Sequence, residues 1–194
     1  MSSTRNTVIR SMHDVGLATW FGGSLMGAIG LNAAAASATD PTERAPLASA
    51  GWGAWAPANA TAIGAHLIGG AGLLLANRNR LGAQQGVAAN TAVKIVLTGA
   101  ALASTAASGV LGSRVAAAGR VPASGATEPS DATPDTVGAA QAGLRRLQWL
   151  TPALTGALVV LGAQQGEQQR PAQVVRGVVR GAASSAGRRL RRTG

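Results

Sequence analysis

Residues 95–113 read IVLTGAALASTAASGVLGS, nineteen residues in succession without an ionisable side chain. A helix rises about 1.5 Å per residue, so this stretch covers roughly 28 Å, close to the ~30 Å hydrocarbon thickness of a bilayer. A helix on the surface of a soluble domain carries polar residues along its outer face. The stretch therefore predicts a helix that is surrounded by apolar material on every side.

Three further stretches share this pattern. Residues 15–38 and 147–166 hold no ionisable group, and residues 45–77 hold only His66. A chain of 194 residues is too short to bury four such helices by itself. We therefore predict an all-α, four-helix transmembrane bundle over residues 15–166, in which lipid covers the outer faces. The predicted helices are at about 15–36, 57–76, 93–112 and 148–164.

The composition excludes several kinds of active site. The chain has no cysteine, so disulfides, thiolate metal sites and cysteine nucleophiles are impossible, and two histidines rule out a three-histidine zinc site. No predicted helix holds a pair of carboxylates, and no phosphate-binding loop is present. We expect no enzymatic activity and no resident cofactor. A soluble, secreted alanine-rich bundle is the alternative fold.

The basic residues are divided unequally between the two sides of the predicted bundle. With both termini in the cytoplasm, twelve bases lie inside and five outside, as the positive-inside rule favours. We therefore predict a multi-pass protein of the plasma membrane. Its other parts are a cytoplasmic N-terminus (1–14), a flexible outer loop (113–146) and a disordered, basic cytoplasmic tail (167–194).

Two further patterns in the sequence concern the depth of the tryptophans in the membrane and the packing of one helix against another. Trp52, Trp55 and Trp149 fall at the predicted outer ends of their helices, where indole rings suit the headgroup region. Small residues recur every four positions in the third helix and predict a stripe that packs against another helix. The stripe consists of Ala100, Ser104, Ser108 and Gly112.

The tail is strongly basic and has no acidic residue after residue 170. We expect its arginines to contact anionic lipid headgroups, each contributing on the order of 1 kcal/mol near the surface. Nucleic acid would attract the same charges, but the tail has no aromatic side chain for stacking, so lipid is the favoured partner. The arginines are Arg176, Arg180, Arg188, Arg189, Arg191 and Arg192.

The N-terminal region also fits a secretory signal peptide. Arg5 and Arg10 precede an apolar region at 16–31, and Ala36-Ser-Ala provides an A-x-A cleavage site. Cleavage would leave three crossings. Asp14, directly before the apolar region, and the glycine-rich first helix favour retention.

Four titratable residues could carry chemistry. His13, Asp14 and Lys94 lie at the predicted inner ends of two helices, which predicts a polar cluster that anchors the chain, binds a headgroup or relays protons. His66 falls near mid-bilayer. Its alternative roles there are those of a metal ligand, a haem ligand, a proton carrier or a neutral imidazole that bonds to another helix. On this topology His13 and His66 are separated by roughly 15 Å along the membrane normal, too far for a shared haem.

The first helix resembles that of CopD-like membrane proteins. His13 is followed seven residues later by Trp20-Phe-Gly-Gly, and the layout is similar to small actinobacterial four-helix membrane proteins of unassigned role. The resemblance implies copper handling at His13 and, secondarily, at Met12 and Met26. The chain departs from that family in having three methionines and fewer predicted spans.

These observations lead to two functional predictions. The first is an integral membrane protein that serves as a structural or accessory subunit and contacts other membrane-protein subunits. The alternative is a small transport or redox-carrier subunit that uses His66, together with His13, for copper, haem or protons.

Overall fold

The structure is a computed structural model that describes residues 3–81 and 85–168. The chain divides into a compact unit, Met1–Val159, and a second unit, Val160–Gly194. The prediction of an all-α fold is confirmed, because the described residues form four long helices, the first of which contains a π-helical turn. The elements are α1 (Ser3–Met26), the π turn (Gly27–Leu31), α2 (Asn32–Ala36), α3 (Arg44–Leu81), α4 (Gln85–Ala117) and α5 (Asp135–Gln168).

The four helices are longer than the sequence predicts. α1 begins at Ser3 rather than near residue 15, and α5 begins at Asp135 rather than near 148. A lack of charge marks the apolar part of a helix, whereas charged residues continue the same helix beyond it. The predicted outer loop (113–146) is therefore helical at both ends.

The two prolines near the predicted helix starts lie inside longer helices. Pro57 is within α3 and Pro152 is within α5. Proline suits the first helical turn because its missing N–H is unpaired there anyway, so it favours a helix start in the sequence. In the structure, the hydroxyl groups of Thr61 and Thr155 donate to the proline carbonyl oxygens, at 3.0 and 3.3 Å.

α1 and α3 form the closest pair of helices and run in opposite directions. A Cβ atom added at Gly16 would lie 2.7 Å from the backbone nitrogen of His66, and one at Gly69 would lie 2.5 Å from that of His13. The two glycines therefore let the helix backbones touch, as small residues do in membrane bundles. This contact fixes the relative level of the two helices.

Two tryptophans of α3 pack on glycines of the first helix. The ring of Trp55 covers Gly23, and the ring of Trp52 covers Gly27, the first residue of the π turn. The sequence predicts these indoles in the headgroup region, but the structure places them against another helix. Trp149 is 52% exposed and does face outward.

Residues 118–134, here called the cap, connect α4 to α5 and fold against the end of the bundle at which α3 begins. The Arg44 guanidinium, at the start of α3, donates to the carbonyl oxygens of Ala38, Ala123 and Ser124. Gln141 of α5 donates to the carbonyl oxygen of Ala126 at 3.3 Å. Ala123 and Ala126 are buried, so the segment contributes to the core although its composition predicts a linker.

An exposed ion-pair group joins the cap to the turn before α3. Arg120 donates to Asp40 at 3.1 Å and to Glu43 at 2.9 Å. The backbone N–H and the hydroxyl of Thr42, followed by the Arg120 guanidinium, hold the pKa of Asp40 below its usual value. Exposed pairs of this kind contribute little to stability.

Within residues 3–81 and 85–168, two helices are long and apolar enough to cross a membrane. They are the segments Arg44–Ala76 of α3 and Ala89–Ala117 of α4. In the most apolar 18-residue stretch of each helix, only 17% and 11% of the stretch is buried inside the structure, whereas the core helix of a soluble protein is mostly buried. These two helices therefore present their apolar surfaces outward.

Candidate functional site

His13 of α1 and His66 of α3 are in ring contact. Their ring centroids are 4.3 Å apart, with an angle of 38° between the ring planes. The predicted separation of roughly 15 Å along the membrane normal is therefore wrong. That estimate assumed that the two helices end at the same level. In the structure, Gly69 lies on His13, and α3 continues beyond it to Leu81.

The hydrogen bonds of the two rings define which atoms carry protons. The Nδ1 atom of His66 lies 3.2 Å from the backbone oxygen of His13. The Nδ1 atom of His13 lies 2.8 Å from a carboxylate oxygen of Asp14. A carbonyl oxygen and a carboxylate only accept hydrogen bonds, so both Nδ1 atoms donate. Each ring, when neutral, then has its lone pair on Nε2.

Exposure rises in steps through this group of residues. His66 is 4% exposed, whereas the side chains of His13 and Asp14 are 17% and 61% exposed. Lys94 of α4 lies within electrostatic range of two charged side chains: Asp14 attracts its ammonium group and Arg10 repels it. The structure thus brings the predicted cluster of His13, Asp14 and Lys94 together and adds His66 as its buried end.

Trp20 closes the buried side of this cluster. Its side chain is fully buried, and its ring lies edge-on to His66 with centroids 6.2 Å apart. The indole Nε1 donates to the hydroxyl of Thr105 on α4 at 3.2 Å. In the sequence, Trp20 stands out only as part of the CopD-like pattern, and nothing there indicates this contact between helices.

Further into the bundle, polar side chains pair between helices. Ser104 and Thr151 share a buried hydrogen bond of 2.7 Å between α4 and α5. Asn32 donates to Gln148 at 2.7 Å and accepts from the Nε1 atom of Trp52 at 3.0 Å. The sequence does not predict that Asn32, Gln148 and Trp52 meet, although two amide side chains within apolar helices are a signal that could have indicated such a contact.

The two histidines do not fit a haem held between them. A porphyrin with two axial imidazoles needs the rings on opposite faces of the macrocycle, whereas these rings touch at 4.3 Å. Met12 and Met26, which the CopD-like resemblance connects with copper, are fourteen residues apart on one helix, or roughly 21 Å. They cannot bind one ion together. Among residues 3–81 and 85–168, no three histidine, aspartate or glutamate side chains form a metal-binding group.

The residues of the small-residue stripe on α4 differ in burial, and the tail arginines are not described. Ser104 of the small-residue stripe is buried, Ser108 and Gly112 are partly buried, and Ala100 is exposed. The six tail arginines, from Arg176 to Arg192, lie outside the described residues.

Comparisons with protein-family models, curated proteins and solved structures find no match to this chain. The CopD-like resemblance stays a prediction that depends on a short pattern in α1.

Proposed function

We propose that the chain is a multi-pass protein of the plasma membrane that acts as a structural or accessory subunit, with four crossings and both termini in the cytoplasm. The observation that supports this best is the uncovered apolar surface of α3 and α4. Ile68 and Leu75 on α3 are 64% and 71% exposed, and Val96 on α4 is 69% exposed. Water is a poor solvent for such a surface, whereas lipid or a partner helix covers it.

The spacing of charges along α4 agrees with a bilayer. Lys94 and Arg114 are twenty residues apart, or roughly 30 Å along a helix, and no ionisable residue lies between them. Asp14 accompanies Lys94 at one end, and the ion pairs of Arg120 lie at the other. The apolar layer between these ends matches the hydrocarbon thickness of ~30 Å.

The accessory role is supported by the way in which the interior polar groups are used. Ser104 bonds to Thr151, Trp20 bonds to Thr105, and Asn32 bonds to Gln148. These pairs connect one helix to another, so the interior polar groups bond to each other and hold the helices together. Purification in a mild detergent after cross-linking in cells should recover partner membrane proteins. A protein that is recovered only without cross-linked partners contradicts the accessory role.

Placing an arginine at mid-span tests the membrane location. Ala103 is exposed on α4 between Lys94 and Arg114, so Ala103→Arg puts a charge into hydrocarbon, at a cost of about 2.5–3.5 kcal/mol for insertion. We expect a clear fall in the fraction that resists carbonate extraction. Ala132→Arg, at an exposed position in the cap, is the matched control and should behave like the wild type. Wild-type protein released by carbonate would contradict the proposal.

A second function is favoured by the stacked histidines. His66, His13 and Asp14 form a series of neighbouring titratable groups from a buried ring to an exposed carboxylate, because the His66 ring contacts the His13 ring and the His13 ring bonds to Asp14. A proton carrier needs titratable groups at such short separations. Two imidazolium charges 4.3 Å apart repel each other strongly in a medium of low dielectric constant. Protons suit this site better than haem, which the ring contact leaves no room for.

Proton transfer can be measured in vesicles of phosphatidylcholine and phosphatidylglycerol that enclose a pH-sensitive dye. Under a potassium diffusion potential, wild-type vesicles should acidify faster than empty ones, and His66→Leu and Asp14→Asn should remove most of the difference. The control is Thr155→Val, since Thr155 is fully buried but bonds only within its own helix. Equal rates in wild-type and empty vesicles would contradict this function. A lowered melting temperature of His66→Leu without any change in rate would make His66 structural.

A further inference from the structure

A cavity of about 370 Å³ lies at the cap end of the bundle. Its volume is in the range of small-molecule sites, roughly 300–1,000 Å³. The cavity exists because facing positions on α3 and α4 hold residues too small to fill the space between the helices. The small residues on its walls include Ala45, Ala48, Gly53, Ala56, Gly109 and Gly112.

The cavity is elongated along the helices. Its lining residues on α3 extend from Ala45 to Ala56, a distance of roughly 16 Å at the rise of an α-helix. Half of a hydrocarbon layer of ~30 Å is one leaflet of about 15 Å. At the outer end, Ala126 and Thr127 of the cap close the cavity. The stretch of α3 that lines the cavity is therefore about as long as a single leaflet is deep.

The cavity opens to the side. Gly53 and Ala56 on α3 and Gly109 and Ala116 on α4 line the cavity and are also exposed at the surface. α3 and α4 are the two helices with uncovered apolar surfaces. Whatever surrounds those surfaces can reach the cavity directly, without a passage through the cap.

The amide groups at the cavity wall are already paired. Asn32, Gln148 and Trp52 line the cavity, but they bond to one another at 2.7 and 3.0 Å. They offer few free hydrogen-bonding positions to an occupant. Of the other fourteen lining residues, ten are alanine, glycine, valine or leucine and four carry a hydroxyl group. The hydroxyl groups of Ser108, Ser113 and Thr127 already bond within the chain. A mainly apolar wall of this kind favours a hydrocarbon chain over a polar ligand.

Unpaired positive charge lies next to the cavity lining in the sequence. Arg114 follows the lining residue Ser113, and Arg145 follows the lining residue Leu144. Both arginines are exposed. Within the described ranges, no acidic side chain forms an ion pair with either of them, because the acidic groups that pair with an arginine are those bound to Arg120. This charge favours an anionic headgroup.

We propose that the cavity binds one acyl chain of an anionic phospholipid, which enters sideways between α3 and α4 from the leaflet on the cap side. The phosphate stays at the surface, where Arg114 and Arg145 attract it. The proposal depends on the proposed membrane location, and it adds a specific lipid site to a protein that would otherwise contact lipid only along its outer surface.

Leucine substitutions at glycines fill the cavity without disturbing the helices. A Cβ atom at Gly109 or Gly112 would meet no other atom within 4 Å, and the same is true at Gly99. Gly99 lies on α4 but does not line the cavity. Gly109→Leu and Gly112→Leu therefore place a side chain in the cavity, whereas Gly99→Leu makes the same chemical change on the same helix elsewhere.

Native mass spectrometry of the detergent-solubilised protein, with added dioleoyl phosphatidylglycerol, tests the site. The wild type and Gly99→Leu should retain one lipid molecule, and Gly109→Leu and Gly112→Leu should bind it at least tenfold more weakly. The double variant Arg114→Gln/Arg145→Gln should lose the preference for phosphatidylglycerol over phosphatidylcholine but still retain a lipid. Equal retention by the wild type and the two cavity-filling variants would overturn the proposal.

The result separates this proposal from the membrane location. If the protein resists carbonate extraction but retains no lipid, the lipid site is wrong and the membrane location stands. If carbonate releases the protein, the membrane location fails, and with it the source of the lipid.

Discussion

Replacing Gly16 or Gly69 by alanine should destabilise the protein more than the addition of a single methyl group suggests. The added Cβ atom would meet backbone atoms of the facing helix, including the His66 nitrogen at 2.7 Å and the Ile9 oxygen at 2.6 Å. Backbone atoms of a helix cannot rotate away, so α1 and α3 must separate. Overpacking of this kind costs about 1–3 kcal/mol, and we expect values near the upper end in a detergent unfolding titration followed by circular dichroism.

The matched controls are Gly22→Ala on α1 and Gly64→Ala on α3. A Cβ atom at either position would meet nothing within 4 Å, so alanine there should raise stability by up to about 1 kcal/mol through helix propensity. If all four variants changed stability equally, the close crossing of α1 and α3 would be wrong. Ring contact between His13 and His66 depends on that crossing and should be lost with it.

Replacing Trp20 by alanine should have the largest effect of any single change. The side chain is fully buried, contacts His66 of α3 and donates to Thr105 of α4. Truncation removes a large apolar surface and leaves a cavity where three helices meet, which costs about 3–5 kcal/mol. The melting temperature and the midpoint of denaturation in detergent should both fall.

Two other variants divide this effect into its parts. Trp149→Ala removes the same side chain at a position that is 52% exposed, and it should change stability by less than about 1 kcal/mol. Thr105→Val removes only the acceptor of the indole N–H, which leaves a buried donor unpaired at a cost of about 1–3 kcal/mol. A Trp20→Ala protein as stable as Trp149→Ala would contradict the placement of Trp20 in the core.

The fold class could be predicted from the sequence because it depends on a property of long segments. Four stretches without charge predict four helices whatever their packing, and the structure contains four. The helix ends could not be predicted in this way, because charge at Asp14 or Arg145 ends the apolar stretch without ending the helix. The closed structure of the cap was missed for a related reason. Its core residues are alanines, and its position depends on hydrogen bonds from Arg44 and Gln141.

The sequence predicts that His13, Asp14 and Lys94 lie near one another, but it does not predict the geometry of the group or the position of His66 in it. His13, Asp14 and Lys94 were placed together because all three lie at predicted helix ends on the same side. The contact with His66 depends on the level at which α1 crosses α3, which is set by Gly16 and Gly69. In a chain with 27 glycines, the sequence does not show which two allow helix backbones to touch.

The π turn at Gly27–Leu31 has a consequence for the direction in which the first helix points its side chains. The N–H of Asn32 bonds to the oxygen of Gly27, five residues back, so the turn holds one residue more than an α-helical turn. Each residue of a helix advances by about 100° around the axis. The extra residue turns the side chains that follow it by about 100° around the helix axis. The glycines of α1 therefore face α3, while Asn32 reaches both Trp52 and Gln148. The first helix therefore contacts α3 and α5 on both sides of the turn, through Phe21 and Gly23 before it and through Asn32 after it.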